Sequence, residues 1–237
     1  MIIYASLSKI GDRMKNEDSV DVINNEGNYL FALADGLGGH GGGDIASSIV
    51  VSKALEVFKT EVNKNCLEKC FTEAQNALMA EQQQRNIDMK TTLVLLSLNI
   101  WRADWGHIGD SRLYVFENNE IVDRTSDHSV PQMLALTGEI RERDIRFHPD
   151  RNRLLRVMGT EWDTAKFELS NGHESTPDTS YLLCTDGFWE LIEEKEMCRC
   201  LKDAINPKEW LACMEKRVLK KGRGKNMNNY SAIAVWR

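Results

Sequence analysis

Proline is scarce in this chain, with four in 237 residues. No stretch rich in serine, glycine and proline breaks the sequence, so no linker is visible and residues 1–237 read as one domain. Long apolar runs are missing too. Nothing approaches the roughly 18–20 residues a membrane span requires, and Met1–Ser6 lacks the basic start and apolar stretch of a secretory signal. A cytoplasmic protein with no membrane partner is expected. A basic excess is also absent: 36 acidic residues outnumber 30 basic ones, for a formal charge of -6. A protein gripping nucleic acid by charge would show the opposite sign, so no nucleic-acid partner is expected. Finally, the six cysteines contain no C-x-x-C pair, and no histidine joins them at zinc-ligand spacing. Cys66 and Cys70 lie four apart, Cys198 and Cys200 bracket one residue, and Cys184 and Cys213 stand alone. They read as reduced, partly buried thiols.

What is present makes a globular core. Hydrophobic residues reach 42% and charged residues 28%, which excludes a disordered chain or a coiled coil. Strand signals open the chain at Ile2–Leu7, Ser19–Ile23 and Tyr29–Ala34, with a turn at Asn24–Gly27. A glycine cluster then leads into a helix with Ile45, Ile49, Val50, Ala54, Leu55 and Phe58 at helical spacing. A second helix is predicted over Cys66–Arg85. Strands follow at Thr92–Leu98, Ala103–Ile108, Arg112–Phe116 and Glu120–Val122, the last two joined by an Asn118-Asn119 hairpin. Residues 126–160 are polar and irregular and read as an inserted flap. Strands at Ala165–Leu169, Tyr181–Cys184 and Ser231–Trp236, and helices at Glu193–Leu201 and Pro207–Leu219, complete the chain. Runs of strands broken by helix pairs predict antiparallel sheets with segregated helices, an α+β fold.

Three apolar strands end in aspartate, at Asp35-Gly36, Gly109-Asp110-Ser111-Arg112 and Asp186-Gly187. Gly36, Gly38 and Gly41 fit a dinucleotide fingerprint, with Glu56 20 residues beyond Gly36. Asp35 counts against it, because its carboxylate would face a pyrophosphate. So does the second helix that follows in place of a crossover to a parallel strand. A flexible glycine loop at a helix entrance is the plainer alternative. Each Asp-Gly taken alone is also a good turn, yet neither leads into another strand as a hairpin would. Carboxylates at strand ends, beside glycines that let the backbone approach closely, suit hard divalent cations. Arg13, just before Glu17-Asp18, taken alone reads as a surface residue paired with an acid. Together with the acidic strand ends it describes a two-metal site with an anion clamp.

The order Arg13…Glu17-Asp18, Asp35-Gly36…His40, Thr91-Thr92, Gly109–Arg112, Asp186-Gly187, Asn228-Asn229 resembles the protein phosphatase 2C type of metal-dependent serine/threonine phosphatase, in its compact bacterial form. Within the flap, Asp127-His128-Ser129, Gly138-Glu139-Ile140, His148-Pro149 and Arg153–Gly159 fit the same family. The resemblance runs from Ser6 to Trp236. It implies an α-β-β-α sandwich of two antiparallel sheets flanked by helices, with a flap subdomain at about 126–160. It also implies two Mn²⁺ or Mg²⁺ ions and a weaker third position. By the resemblance, Asp35 bridges both ions, Gly36 offers its carbonyl to one, and Asp186 is a terminal ligand. Glu17 and Asp18 hold waters at the ions, Arg13 clamps the phosphate, and His40 acts as general acid. Asp110 and Glu190 match the third position. The implied activity is hydrolysis of phosphoserine and phosphothreonine on proteins, reversing a serine/threonine kinase, by a monomer.

The chain departs from the family pattern where Asn228 replaces a terminal aspartate ligand, Lys90 replaces a glycine, and Glu190 stands where some relatives have Asp. An amide oxygen can still coordinate, but it removes one negative charge, so weaker metal binding is expected there. Asn228 favours an alternative reading, a degenerate phosphatase fold serving as a phosphoprotein-binding or regulatory module. The basic run Lys220–Lys225 reads as a solvated loop, or as electrostatic guidance of a phosphorylated substrate.

Overall fold

Leu30 to Ala34 are five fully buried residues in a row, because their strand is covered on both faces. Side chains alternate across a strand. Leu30, Ala32 and Ala34 pack on helices, while Phe31 and Leu33 pack on a second sheet. The computed structural model describes residues 1–38, 41–61, 66–163 and 166–237. It begins with β1 (Ile3–Lys9), β2 (Asp18–Asn25) and β3 (Asn28–Leu37), then the helices α1 (Gly43–Thr60) and α2 (Cys66–Arg85). The strands β4 (Lys90–Thr91), β5 (Leu93–Leu98), β6 (Arg102–Ile108), β7 (Arg112–Glu117) and β8 (Glu120–Arg124) follow. Then come α3 (Val130–Leu136), a 3₁₀ turn (Glu142–Phe147), β9 (Glu168–Leu169), β10 (His173–Glu174) and β11 (Thr179–Cys184). The chain closes with α4 (Asp186–Trp189), α5 (Glu194–Asp203), α6 (Pro207–Gly222) and β12 (Tyr230–Trp236).

The strands form two antiparallel sheets. One runs β1-β12-β11-β7-β8, the other β10-β6-β5-β3-β2, with β4 on β3 and β9 on β6. Phe31, Leu33, Val94, Leu113, Leu183 and Ile233 fill the space between them. α1 and α2 cover the outer face of the second sheet, and α4, α5 and α6 cover that of the first. The expected α-β-β-α sandwich is what forms.

Local signals account for the helix starts. Asn206 caps α6 by accepting the Glu209 N–H at 2.9 Å, with Pro207 in its first turn. α1 has no side-chain cap. Gly42 enters it at φ 91, and Asp44 in its first turn pairs with Lys15 at 2.6 Å.

Three expectations need correction. Cys200 and Cys213 are joined in a disulfide between α5 and α6 rather than standing as thiols, while Cys66, Cys70, Cys184 and Cys198 are unbridged. Packing of the two helices brings their Cα atoms to 5.7 Å, within the span of a disulfide, and sequence spacing carries no trace of that. The flap is not irregular throughout. Ser129 caps α3 and Pro131 sits in its first turn, and bridges Ser129↔Leu154 and Thr91↔Met158 tie the segment to the body. The strand expected over Ala165–Leu169 appears as Glu168–Leu169, and Ala165 lies outside the described residues.

Candidate metal centre

The alternation that builds the core also builds the site. Phe31 and Leu33 face the space between the sheets, and Asp35 continues their face along β3. Asp18 on β2 lies directly opposite Asp35 in register. Asp186 opens α4 where β11 ends, and Asp110 sits in the turn from β6 to β7. Four carboxylates from separate parts of the chain therefore meet at one end of the sandwich. Like charges facing each other across a strand pair destabilise it, so this arrangement requires a compensating cation or bound protons.

The acidities register that conflict. Burial, with Asp186 and Glu17 nearby, pushes Asp18 up to about 7. Burial and then the carboxylates of Asp186, Asp18 and Asp110 push Asp35 well above its ordinary range. Asp110 is raised in the same way by burial, Asp186 and Asp127, and Asp186 is raised by burial. Glu190, buried beside Asp186, reaches about 7 despite Arg151. Glu17 is raised by burial and by Asp44. In the pit, Asp18 Oδ1 is buried and has no hydrogen-bond partner among the described residues. An orphaned carboxylate oxygen among crowded hard oxygen donors fits divalent cations such as Mn²⁺ or Mg²⁺.

A cavity of about 690 Å³ opens onto this pit, lined by Arg13, Glu17, Asp35, Asp110, Asp186 and Asn228, with Gly36 in its wall. Gly36 cannot carry a side chain: a Cβ there would stand 2.1 Å from the Gly43 carbonyl oxygen. Glu190 lines the adjoining cavity with Asp186, Arg13 and Asn228. Thus the sequence-predicted residues Arg13, Glu17, Asp18, Asp35, Gly36, Asp110, Asp186, Glu190 and Asn228 come together. His40 lies outside the described residues.

Asn228 occupies a pivotal place. Its Oδ1 accepts from Arg13 Nε at 3.1 Å, and its Nδ2 donates to Asp186 Oδ1 at 3.1 Å. One amide thus couples the guanidinium to a carboxylate of the pit. A carboxylate at 228 would keep the first contact and turn the second into a repulsion.

Several supporting residues carried no assigned role in the sequence reading, although Asn229, Arg112, Asp127 and His128 lie in its motifs. Asn229 fixes the Arg13 loop, donating to the Ile10 and Lys15 carbonyls at 2.8 and 2.9 Å and accepting from Glu17 N at 2.9 Å. Thr185 Oγ1 donates to Asp18 Oδ2 at 3.1 Å. Behind the pit, buried Arg112 forks onto Asp127 at 2.8 and 2.7 Å and lies 3.4 Å from the centroid of Trp189. The indole of Trp189 in turn donates to the Asp110 carbonyl at 3.0 Å. From the flap, His128 Nδ1 accepts the Gly109 N–H at 3.2 Å, and the His128 N–H donates to the Gly109 carbonyl at 2.8 Å. The turn that carries Asp110 is pinned in this way. The ring of His128 stacks on His107 at 4.6 Å. Arg151 pairs with Glu190 at 2.9 Å. Arg112, Asp127, His128 and Asn229 were visible as motif members, whereas Thr185, Trp189 and Arg151 had no sequence signal beyond closeness to the Asp-bearing motifs.

Comparison with known proteins places this geometry. The family model for protein phosphatase 2C matches residues 7–220. The serine/threonine phosphatase stp of Listeria welshimeri is 36% identical over 202 residues, covering 80% of this chain and 79% of that protein. The serine/threonine phosphatase of Staphylococcus aureus superposes with a TM-score of 0.90 at 26% identity, over 100% of this chain and 95% of that one. The catalytic domain of the phosphatase PstP, solved in complex with two manganese ions, superposes with a TM-score of 0.83 at 26% identity, over 99% and 97% of the two chains. With its two-sheet sandwich and carboxylate pit, the chain belongs to the protein phosphatase 2C family.

Proposed function

We propose that this protein is a metal-dependent protein-serine/threonine phosphatase, releasing phosphate from phosphoserine and phosphothreonine side chains. The observation that carries the reading is the convergence of Asp18, Asp35, Asp110 and Asp186 beside Arg13 at one end of the sandwich. Asp35 and Asp186, with the Gly36 carbonyl and Asn228 Oδ1, would hold two Mn²⁺ or Mg²⁺ ions; Glu17 and Asp18 would orient water, and Asp110 with Glu190 would hold a weaker third ion. When bound, such ions lower the pKa of a water, neutralise the phosphate dianion and align an in-line attack.

The chain's own groups do the rest. The Arg13 guanidinium, held at Nε by Asn228, keeps its two terminal nitrogens for two phosphoryl oxygens, a bidentate grip that lysine cannot supply. Asp18, anchored by Thr185, would accept a proton at Oδ1, which has no hydrogen-bond partner among the described residues. His40, assigned from the sequence motif, donates a proton to the departing seryl or threonyl oxygen. No phosphorylated enzyme intermediate and no cysteine nucleophile is needed.

In this reading residues 1–237 form a single phosphatase domain with a flap subdomain at about 126–160. The protein acts as a cytoplasmic monomer on phosphoproteins made by a serine/threonine kinase. Among the described residues no helix is long and apolar enough to cross a membrane. A second reading, a phosphoprotein-binding module without turnover, draws on Asn228 alone. Phosphate release from a phosphothreonine peptide, with and without Mn²⁺, separates the two: Mn²⁺-dependent release is expected, and peptide binding without release overturns the enzyme assignment.

A further inference from the structure

We propose that a basic cavity beside the metal centre binds a second anionic group of the substrate, a carboxylate or a further phosphate close to the phosphorylated residue. This inference rests on the phosphatase reading and specifies its substrate class. The cavity, of about 340 Å³, shares Arg13, Asn152, Asp186 and Asn228 with the acidic pit, so a chain bound in one continues into the other. Four cations line it: Arg13, Arg146, Arg151 and Lys225.

Their commitments differ, and the difference locates the free charge. Arg146 is buried and spent. Its Nη1 donates to the carbonyls of Trp189 and Ile192 at 2.9 and 2.6 Å, and its Nη2 contacts both oxygens of Glu194 at 2.6 Å. It forms a wall. Arg151 is 40% exposed and pairs with Glu190, leaving the rest of its fork towards solvent. Among the described residues Arg13 commits only Nε, and to a neutral amide. Lys225 is exposed and makes no ion pair with any described residue. Its neighbour Lys221 is by contrast bound to Glu196 at 2.6 Å. The acids facing the cavity are Asp186, which belongs to the metal pit, and Glu190, already matched by Arg151. Unanswered positive charge is therefore left at Lys225 among the described residues, and Arg151, though matched in charge by Glu190, keeps N–H donors facing solvent.

Spacing sets the reach. Lys225 stands three residues before Asn228, and three residues of extended chain span at most about 10 Å. An extended peptide rises about 3.3 Å per residue. The second anion therefore falls within about three residues of the phosphorylated one.

The test uses three otherwise identical phosphothreonine peptides with Gln, Glu or a non-hydrolysable phosphonate residue at the flanking position. With Mn²⁺-loaded protein, kcat/KM is measured for each. Affinity is measured by fluorescence anisotropy on versions whose phosphothreonine is also a phosphonate. The anionic flank raises kcat/KM and affinity roughly fivefold over Gln, as expected for one partly exposed ion pair. Raising the salt from about 50 to 500 mM shrinks that ratio towards one. K225Q and R151Q each lower the ratio, and the double variant brings it to about one. A gain with both Glu and phosphonate assigns the site to any anion, and a gain with phosphonate alone assigns it to a dianion. A wild-type ratio of one in both assays, or a ratio indifferent to both variants, overturns the subsite. Absence of turnover with all three peptides overturns the phosphatase reading instead, and the anisotropy ratio still decides the subsite.

Discussion

Replacing Asn228 with Asp restores the carboxylate that the family resemblance implies at this position. The amide Nδ2 donates to Asp186 Oδ1 at 3.1 Å and Oδ1 accepts from Arg13. In the metal-free protein, N228D deletes a hydrogen bond to a charged group, worth about 1.5–3 kcal/mol. It also sets two carboxylates face to face. At a separation near 4 Å and an effective dielectric constant of 20, that repulsion is about 4 kcal/mol. The strengthened attraction to Arg13 at a similar distance offsets much of it. The net destabilisation of the metal-free state is thus about 1.5–3 kcal/mol. For a chain of this size, that lowers the metal-free Tm by about 3–12 °C. Bound cations remove the repulsion, so the metal-loaded state does not share the loss. Apparent Mn²⁺ affinity then tightens by about 10- to 100-fold. Differential scanning calorimetry in chelator gives the first quantity, and isothermal titration with Mn²⁺ gives the second. An unchanged or raised metal-free Tm, together with unchanged Mn²⁺ affinity, would refute the placement of Asn228 at the metal pit.

Three further outcomes follow from the same site. The folded pKa of Asp18 is raised from 3.8 to about 7, so its protonated form is the one the fold favours. Its contribution is present below about pH 4 and is lost as pH rises through about 7, worth roughly 4 kcal/mol. Chelated protein should therefore lose Tm from pH 5 to pH 8, and Mn²⁺ should restore more of it at pH 8 than at pH 5; a Tm that rises with pH in chelator contradicts this. Burial and His107 depress His128 from 6.5 to about 4, so the fold favours the neutral ring. That contribution, roughly 3 kcal/mol, is present above about pH 6.5 and is lost as pH falls towards 4. The stability gap between wild type and H128Q should close over that range in urea titrations. In R13K the lysine cannot reproduce the fork, and kcat/KM on p-nitrophenyl phosphate should fall by about 100-fold; a fall below threefold would remove Arg13 from the phosphate.

The legible parts of this molecule were those whose physics is local. Leu30–Ala34 is apolar without a break because both faces of β3 are covered, and that run ends at Asp35. Asp110 and Asp186 likewise follow buried strands, so three members of the pit could be found from where apolar runs stop. The rest depended on partners distant in sequence. Cys200 and Cys213 meet only once α5 packs on α6. Arg146 is buried because the carbonyls of Trp189 and Ile192 receive it, and a carbonyl has no residue-type signature. Asn229 looked like a companion of Asn228, yet it ties down the loop that carries Arg13. α3 was legible in principle from Ser129 and Pro131, but the polar character of the flap masked it.

If the buried carboxylates hold divalent cations for phosphate hydrolysis, activity must depend on both the metal and the acids. Phosphate release from a phosphothreonine peptide across a Mn²⁺ titration, in wild type, D35N and D186N, tests it most directly. Mn²⁺-dependent release is expected in the wild type, with a loss of about 100-fold or more in each variant and the fold retained by circular dichroism. Release that persists in chelator, or Mn²⁺-dependent release untouched by both substitutions, would contradict it.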